Sequence, residues 1–125
     1  FSYQIDVPAG AMLRGDRDMI EAILRNLISN AIKFTNASGM ITIAAKEHNR
    51  AWQLSVSDTG KGMTREEVEK ITAGVSFTTA GTDREKGHGL GMQLVQDFIL
   101  KHHSSLRIVS APNQGSTFSF ELAKA

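Results

Sequence analysis

No cysteine occurs among the 125 residues, which excludes a disulfide scaffold, thiolate catalysis and any zinc site built on thiolates. Packing must hold the fold, and a reducing compartment, the cytoplasm, is the expected setting. Charge of one sign is missing too: Lys and Arg number 14 against 13 for Asp and Glu, a formal net charge of +1. No broad electrostatic footprint for nucleic acid or anionic lipid follows from that balance, so neither nucleic acid nor direct membrane contact is expected. Any partner must be held by a local site. No apolar run approaches the ~20 residues of a membrane span, and the chain opens on Phe1-Ser2-Tyr3-Gln4-Ile5 without Met or a signal-peptide pattern. The expectation is a soluble piece of a longer protein. Its hydrophobic share, 41%, fills one core, so residues 1–125 are expected to form a single domain.

Phe1 to Val7 alternates apolar and polar residues until Pro8-Ala9-Gly10 breaks the pattern, which predicts a strand and a turn. From Asp18 to Phe34 the period changes: Met19, Ile20, Ile23, Leu24, Leu27, Ile28, Ala31 and Ile32 recur at three- and four-residue steps. An amphipathic helix of about four turns is predicted, with Asp16 or Asp18 as N-cap and Asn36-Ala37-Ser38-Gly39 ending it. Met40–Ala45 and Ala51–Ser57 read as a hairpin joined by Lys46-Glu47-His48-Asn49-Arg50, with Trp52, Leu54, Val56 and then Asp58 on one face. Thr64-Arg65-Glu66-Glu67 is a capping-box start for a short helix to about Thr72. Ala73 to His88 has no period, and a loop of that length is usually functional or mobile. A second long helix is expected from near Gly89, with Gly91, Leu94, Val95, Phe98, Ile99 and His102 on one face. Leu106–Ser110 and Ser116–Leu122 close the chain as strands, Ser116, Phe118, Phe120 and Leu122 sharing one parity. The expected fold is α/β, a two-layer α+β sandwich: a mixed, mostly antiparallel sheet of about five strands covered on one face by three helices.

Three sets of residues could carry chemistry. Asn26, Asn30 and Lys33 fall within an arc of roughly 60° beside the apolar stripe of the first helix. Asn is a poor helix-interior residue, so two on one edge read either as a solvated face or as groups sharing a ligand. Amide oxygens can hold a hard cation and Lys can pair with phosphate. Gly87-His88-Gly89-Leu90-Gly91 opens the last helix, where free N–H groups and the positive end of the dipole favour an anion; the other reading is a hinge. Asp58 stands at a strand end on the core-facing parity, and its oxygens need a donor. A purine amine would supply one, and so would the loop's own backbone.

Asn-x-x-x-Asn-x-x-Lys, then Asp-x-Gly-x-Gly, then Gly-x-Gly-x-Gly, in this order and separated by a hairpin and a long loop, form a more specific pattern than any of them alone. The chain resembles, over essentially its whole length, the ATP-binding catalytic domain of sensor histidine kinases, whose Bergerat fold is shared with gyrase-type ATPases. Asn26 to Thr35 is similar to the N box, Asp58 to Met63 to the first glycine box and Gly87 to Gly91 to the second. Phe77 stands where the family has its F-box aromatic, and Gly115-Ser116-Thr117-Phe118 resembles the closing motif.

The resemblance implies ATP and Mg²⁺ as cofactors. By similarity Asn30 would hold magnesium with Asn26 near it, Lys33 would meet phosphate, and these three would be the catalytic set. Asp58 would accept from the adenine amine, Gly60 and Gly62 would let the backbone pass close to the base, Met63 would pack on it and Ser116 would support Asp58. Ala73 to His88 would be the ATP lid, and Gly87, His88, Gly89, Leu90 and Gly91 would lie against the phosphates. Phe34 replaces the Tyr of many relatives, which removes a phenol but keeps the packing. His88 replaces a small residue, and its ring either reaches a phosphate or points outward; Arg84 and Lys86 are lid cations with the γ-phosphate in reach.

No His here has the His-Glu/Asp context of a phosphoacceptor, so the dimerisation domain carrying that His is expected on a separate segment, with a response-regulator receiver domain as the other expected partner. The parent is expected to be a membrane-anchored sensor. The implied function is to bind Mg-ATP and present its γ-phosphate to that His in a two-component phosphorelay. A degenerate nucleotide-binding module and an anti-sigma-type Ser kinase are the alternatives. Asn26 occupies the position where water-activating relatives carry Glu, which disfavours an ATP hydrolase.

Overall fold

The computed structural model describes residues 2–7, 15–35, 38–72 and 86–123, with the backbone alone over 86–90. The elements run β1 (Ser2–Asp6), α1 (Arg17–Phe34), β2 (Met40–His48), β3 (Ala51–Asp58), α2 (Arg65–Thr72), α3 (Lys86–Lys101), β4 (Arg107–Ser110) and β5 (Ser116–Ala123). The strands form one sheet in the order β1-β2-β3-β5-β4. β1 is parallel to β2, and the remaining pairs are antiparallel.

α1 starts where Asp16, in an extended conformation, accepts from the N–H of Met19 at 3.0 Å, satisfying one of the donors a helix start leaves open. Its buried face is Ile20, Ile23, Leu27, Asn30 and Ala31. Thr64 and Glu67 cap α2 reciprocally: Thr64 Oγ1 accepts from the Glu67 N–H at 3.2 Å and Glu67 Oε1 from the Thr64 N–H at 2.9 Å, the capping box read from the sequence. α3 buries Met92, Val95 and Ile99. Its last turn ties back to α1, because His102 Nε2 accepts from the N–H of Asp16 at 3.0 Å, which leaves Nδ1 to donate to the Phe98 carbonyl at 2.8 Å.

The inward rows of β3 and β5 match one for one. Trp52 faces Leu122, Leu54 faces Phe120, Val56 faces Phe118 and Asp58 faces Ser116. All eight are buried. An apolar ladder therefore ends in two polar residues, side by side at one end of the sheet.

Two expected boundaries move. The β2–β3 hairpin needs only Asn49 and Arg50 as its turn, and Lys46, Glu47 and His48 are strand. Asn49 sits at φ 59, a left-handed conformation that Asn tolerates, so pairing continues through polar residues that alternation cannot identify. α3 starts at Lys86 and not near Gly89. Glycines disfavour helix by about 1 kcal/mol each, but the packed face at Met92, Val95 and Ile99 carries the first turn with it. Lys86, Gly87 and His88, expected in the lid, have helical backbone. The rest of the expected lid, with Phe77 and Arg84, and the Pro8-Ala9-Gly10 turn lie outside the described residues.

Candidate nucleotide site

The Asn edge of α1 faces α3. Asn30 is 9% exposed, and its amide Nδ2 donates to the sulfur of Met92 at 2.9 Å. Asn26 Nδ2 donates to the Ala22 carbonyl at 2.7 Å, which turns its Oδ1 toward α3. A methyl group at Gly91 would lie 2.6 Å from that oxygen. Gly91 thus leaves room for that oxygen, which an added methyl group would displace. Lys33 follows in the last turn of α1 and is exposed. Backbone at Gly87, His88, Gly89 and Leu90 forms the opening turns of α3, where N–H groups lack intrahelical acceptors.

The other half of the site is the strand end. Asp58 is 8% exposed, and its Oδ1 accepts from the N–H of Gly60 at 2.8 Å. Burial pushes its carboxyl above its ordinary value, and the backbone N–H groups of Gly60 and Ser116 oppose that by favouring the anion. The turn after it is tied to α1: the Phe34 carbonyl accepts from Lys61 N at 3.4 Å, and Lys61 Nζ lies 4.9 Å from the centre of the Phe34 ring. A side chain at Gly60 would run into the Phe34 carbonyl and one at Gly62 into that of Ala111. These glycines are required by backbone packed on backbone, whatever else they admit.

Met63 is buried, and its N–H donates to Ser110 Oγ at 2.8 Å. Ser116 Oγ, the residue expected to support Asp58, bonds Ser110 Oγ at 2.8 Å, while its backbone N–H serves the Asp58 carboxylate. Ser110 and Met92 were not singled out from the sequence. For Ser110 the available signal was parity, since Ile108 and Ser110 on β4 repeat the apolar-then-polar order of Phe118 and Ser116 on β5.

Two amide side chains, a lysine and a helix start thus lie on one side, and a buried carboxylate with a glycine turn on the other. Amide oxygens suit a hard cation, a lysine and an open helix start suit an anion, and a buried carboxylate suits an amine. A family model described as histidine kinase-, DNA gyrase B- and HSP90-like ATPases matches residues 15–125. The chain belongs to this ATPase family. Its open five-stranded sheet under three helices is the Bergerat fold.

Among its relatives, the adaptive-response sensory kinase SasA of Crocosphaera subtropica is 36% identical over 118 residues, 94% of this chain and 30% of that protein. Sensor histidine kinase ZraS of Klebsiella oxytoca is 34% identical across 92% of this chain and 24% of its own length. The nucleotide-free catalytic domain of histidine kinase ThkA superposes with a TM-score of 0.80 at 28% identity, over 98% of this chain and 78% of that one. This chain spans less than a third of those two curated relatives.

The raised Asp58 carboxyl has a consequence for stability. A carboxyl whose folded value lies above its unfolded one, about 3.9, binds its proton more tightly in the folded state. Its contribution is fully present below the unfolded value and is lost as pH rises through the folded value. The chain therefore loses this group's contribution as pH rises. Asp58→Asn removes that titration while keeping an oxygen for Gly60 and Ser116, so the variant is expected to gain stability relative to the parent as pH rises from about 4 through the folded value. Denaturant unfolding between acid and neutral pH checks this; a gap between the two chains that stays constant over that range would contradict it.

Proposed function

We propose that this domain binds Mg-ATP between the Asn26–Lys33 edge of α1 and the opening of α3, with the base at Asp58. In a longer sensor kinase it would then offer the γ-phosphate to a His on a separate dimerisation domain. The observation that carries the reading is the seam itself, where the buried Asn30 and the inward Asn26 oxygen meet α3 beside a helix start. Two amide side chains, one half-buried and one buried, are a costly choice for a structural helix contact alone, and they suit a polar ligand.

Among the described residues no group of three or more His, Cys, Asp or Glu could hold a metal. A cation here would take amide oxygen from Asn30, with Asn26 near it, and owe the rest of its shell to phosphate and water, which suits magnesium. When bound, the ion neutralises and orients the phosphate oxygens. Lys33 adds a point charge, and the α3 backbone N–H groups receive phosphate oxygens at the positive end of the dipole. Asp58 accepts from the 6-amino group, Met63 packs on the ring and Ser116 supports the carboxylate. Gly87, His88, Gly89, Leu90 and Gly91 border the phosphates. Catalysis by such parts is positioning and charge neutralisation, with the acceptor nucleophile supplied by the partner.

From that His the phosphoryl group would pass to a response-regulator receiver domain. A cytoplasmic location belongs to this proposal. Among the described residues no helix is long and apolar enough to cross a membrane.

Asp58→Asn tests the base end. Its amide leaves a donor facing the base amine, so affinity for ATP is expected to fall by ~1–3 kcal/mol, as calorimetry would show; unchanged affinity removes Asp58 from the pocket. Radiolabelled ATP tests the transfer. The chain alone is expected to label neither itself nor water at speed, because no His has an acceptor context and Asn26 replaces a general base. Mixed with the dimerisation helices of its parent, it should label them. Labelling of the chain itself or rapid hydrolysis would contradict the histidine-kinase reading, and silent helices would point to a degenerate nucleotide-binding module.

A further inference from the structure

Ser110 ends β4 directly opposite Ser116 in the β4–β5 register. Its one hydroxyl meets three groups: the Met63 N–H at 2.8 Å, the Gly115 carbonyl at 2.9 Å and Ser116 Oγ at 2.8 Å. A hydroxyl has one proton and two acceptor lone pairs. The carbonyl can only accept, so the Ser110 proton goes to Gly115; the amide can only donate, so it takes one lone pair. The remaining lone pair must receive the Ser116 proton. Every bond is then satisfied, and the direction of the Ser116 hydroxyl is determined.

That direction matters because of where Ser116 lies. It faces Asp58 across the β3–β5 ladder, and both are buried on the same face. With its proton spent on Ser110, the Ser116 oxygen offers only acceptor capacity beside a carboxylate that also only accepts. Two acceptors together suit an amine and repel a carbonyl oxygen. The same Ser110 hydroxyl holds Met63, and through Gly115, at φ 74 against the Asp58 backbone, the loop beneath the carboxylate.

We infer that Ser110 is a positioning residue for purine selection, which orients Ser116 and Met63 so that the pocket accepts a 6-amino purine and rejects a 6-oxo purine. This rests on the adenine-nucleotide reading above.

The test compares Mg-ATP with Mg-inosine triphosphate, which carries a carbonyl in place of the amine, by calorimetry on the chain and on Ser110→Ala and Ser110→Thr. Without the Ser110 acceptor, the Ser116 proton is free to turn toward the base. Ser110→Ala is expected to weaken ATP about tenfold and inosine triphosphate less than about twofold, so that preference collapses, and Ser110→Thr to restore it. Equal weakening of both nucleotides, no change in either, or no rescue by Thr would overturn the inference while leaving ATP binding intact. If the parent chain binds neither nucleotide, the site reading falls and this inference with it. Should Ser110→Ala fail to fold, hydrogen exchange in the parent chain decides: the Met63 amide is expected to be as protected as the β3–β5 ladder amides, and exchange at an unprotected rate overturns the inference.

Discussion

Gly62→Ala is expected to destabilise the domain by about 3 kcal/mol. Two costs combine. Gly62 sits at φ 68, where an L side chain costs roughly 1–2 kcal/mol. The added carbon would also press into the Ala111 carbonyl, and overpacking against backbone typically adds about 1–3 kcal/mol. Neither neighbour can yield cheaply. The 111–115 loop is held to the glycine turn by the Asn113 N–H on the Lys61 carbonyl at 2.7 Å and by Met63 on Ser110 at 2.8 Å. Thermal unfolding followed by circular dichroism should drop by roughly 10 °C. Gly91→Ala is the contrast, because its methyl group meets only the movable Asn26 amide and Ala is the better helix former by about 1 kcal/mol. It should hold the melting temperature while weakening Mg-ATP. Equal melting temperatures for Gly62→Ala and the parent would refute the backbone-contact account of this turn.

Asn30→Asp is expected to abolish phosphoryl transfer to the dimerisation helices, a loss of a hundredfold or more on the scale of a single electrostatic group in a phosphoryl-transfer site. The substitution is nearly isosteric, so what changes is charge and hydrogen-bonding sense. The amide donates to the Met92 sulfur, and a carboxylate has no proton to give. It would also set a buried negative charge at the seam proposed for the triphosphate, altering the cation's shell and repelling the phosphates. Labelling of the helices with radiolabelled ATP measures the loss, and melting temperature separates it from misfolding. Transfer within tenfold of the parent, by a folded variant, would take Asn30 out of the machinery.

Much of this architecture is legible in the sequence. α1, the hairpin, the capping box of α2 and the inward rows of β3 and β5 are all written in repeats of two, three and four residues, and such repeats are local: each residue's face follows from its neighbours along the chain. An Asp N-cap, Asp16 or Asp18, of which the fold uses Asp16, and Asp58 on the apolar parity belong to the same class. The family, too, was readable, because its motifs are short runs of residue types in a set order. The residues 15–125 that match the family model contain all of them.

Tertiary structure decided what those residues touch. Asn30 meets Met92, 62 positions away, and Ser110 meets Met63, 47 positions away; no local repeat encodes such pairs, which depend on strand order and on how closely two helices approach. Gly60 and Gly62 illustrate the difference. Their residue type announced a close approach, but which backbone they approach, Phe34 and Ala111, follows only from the turn being clamped between the end of α1 and the β4–β5 loop. The start of α3 at Lys86 is of the same kind, since glycines carry no apolar pattern and the turn forms because the face beyond it is packed. Sequence alone determined the elements, their buried faces and the family, because these rest on contacts within a few residues. The hydrogen-bond directions at Ser110 and Ser116 were decided by the fold, because a hydroxyl's proton goes where three distant segments leave it a single acceptor.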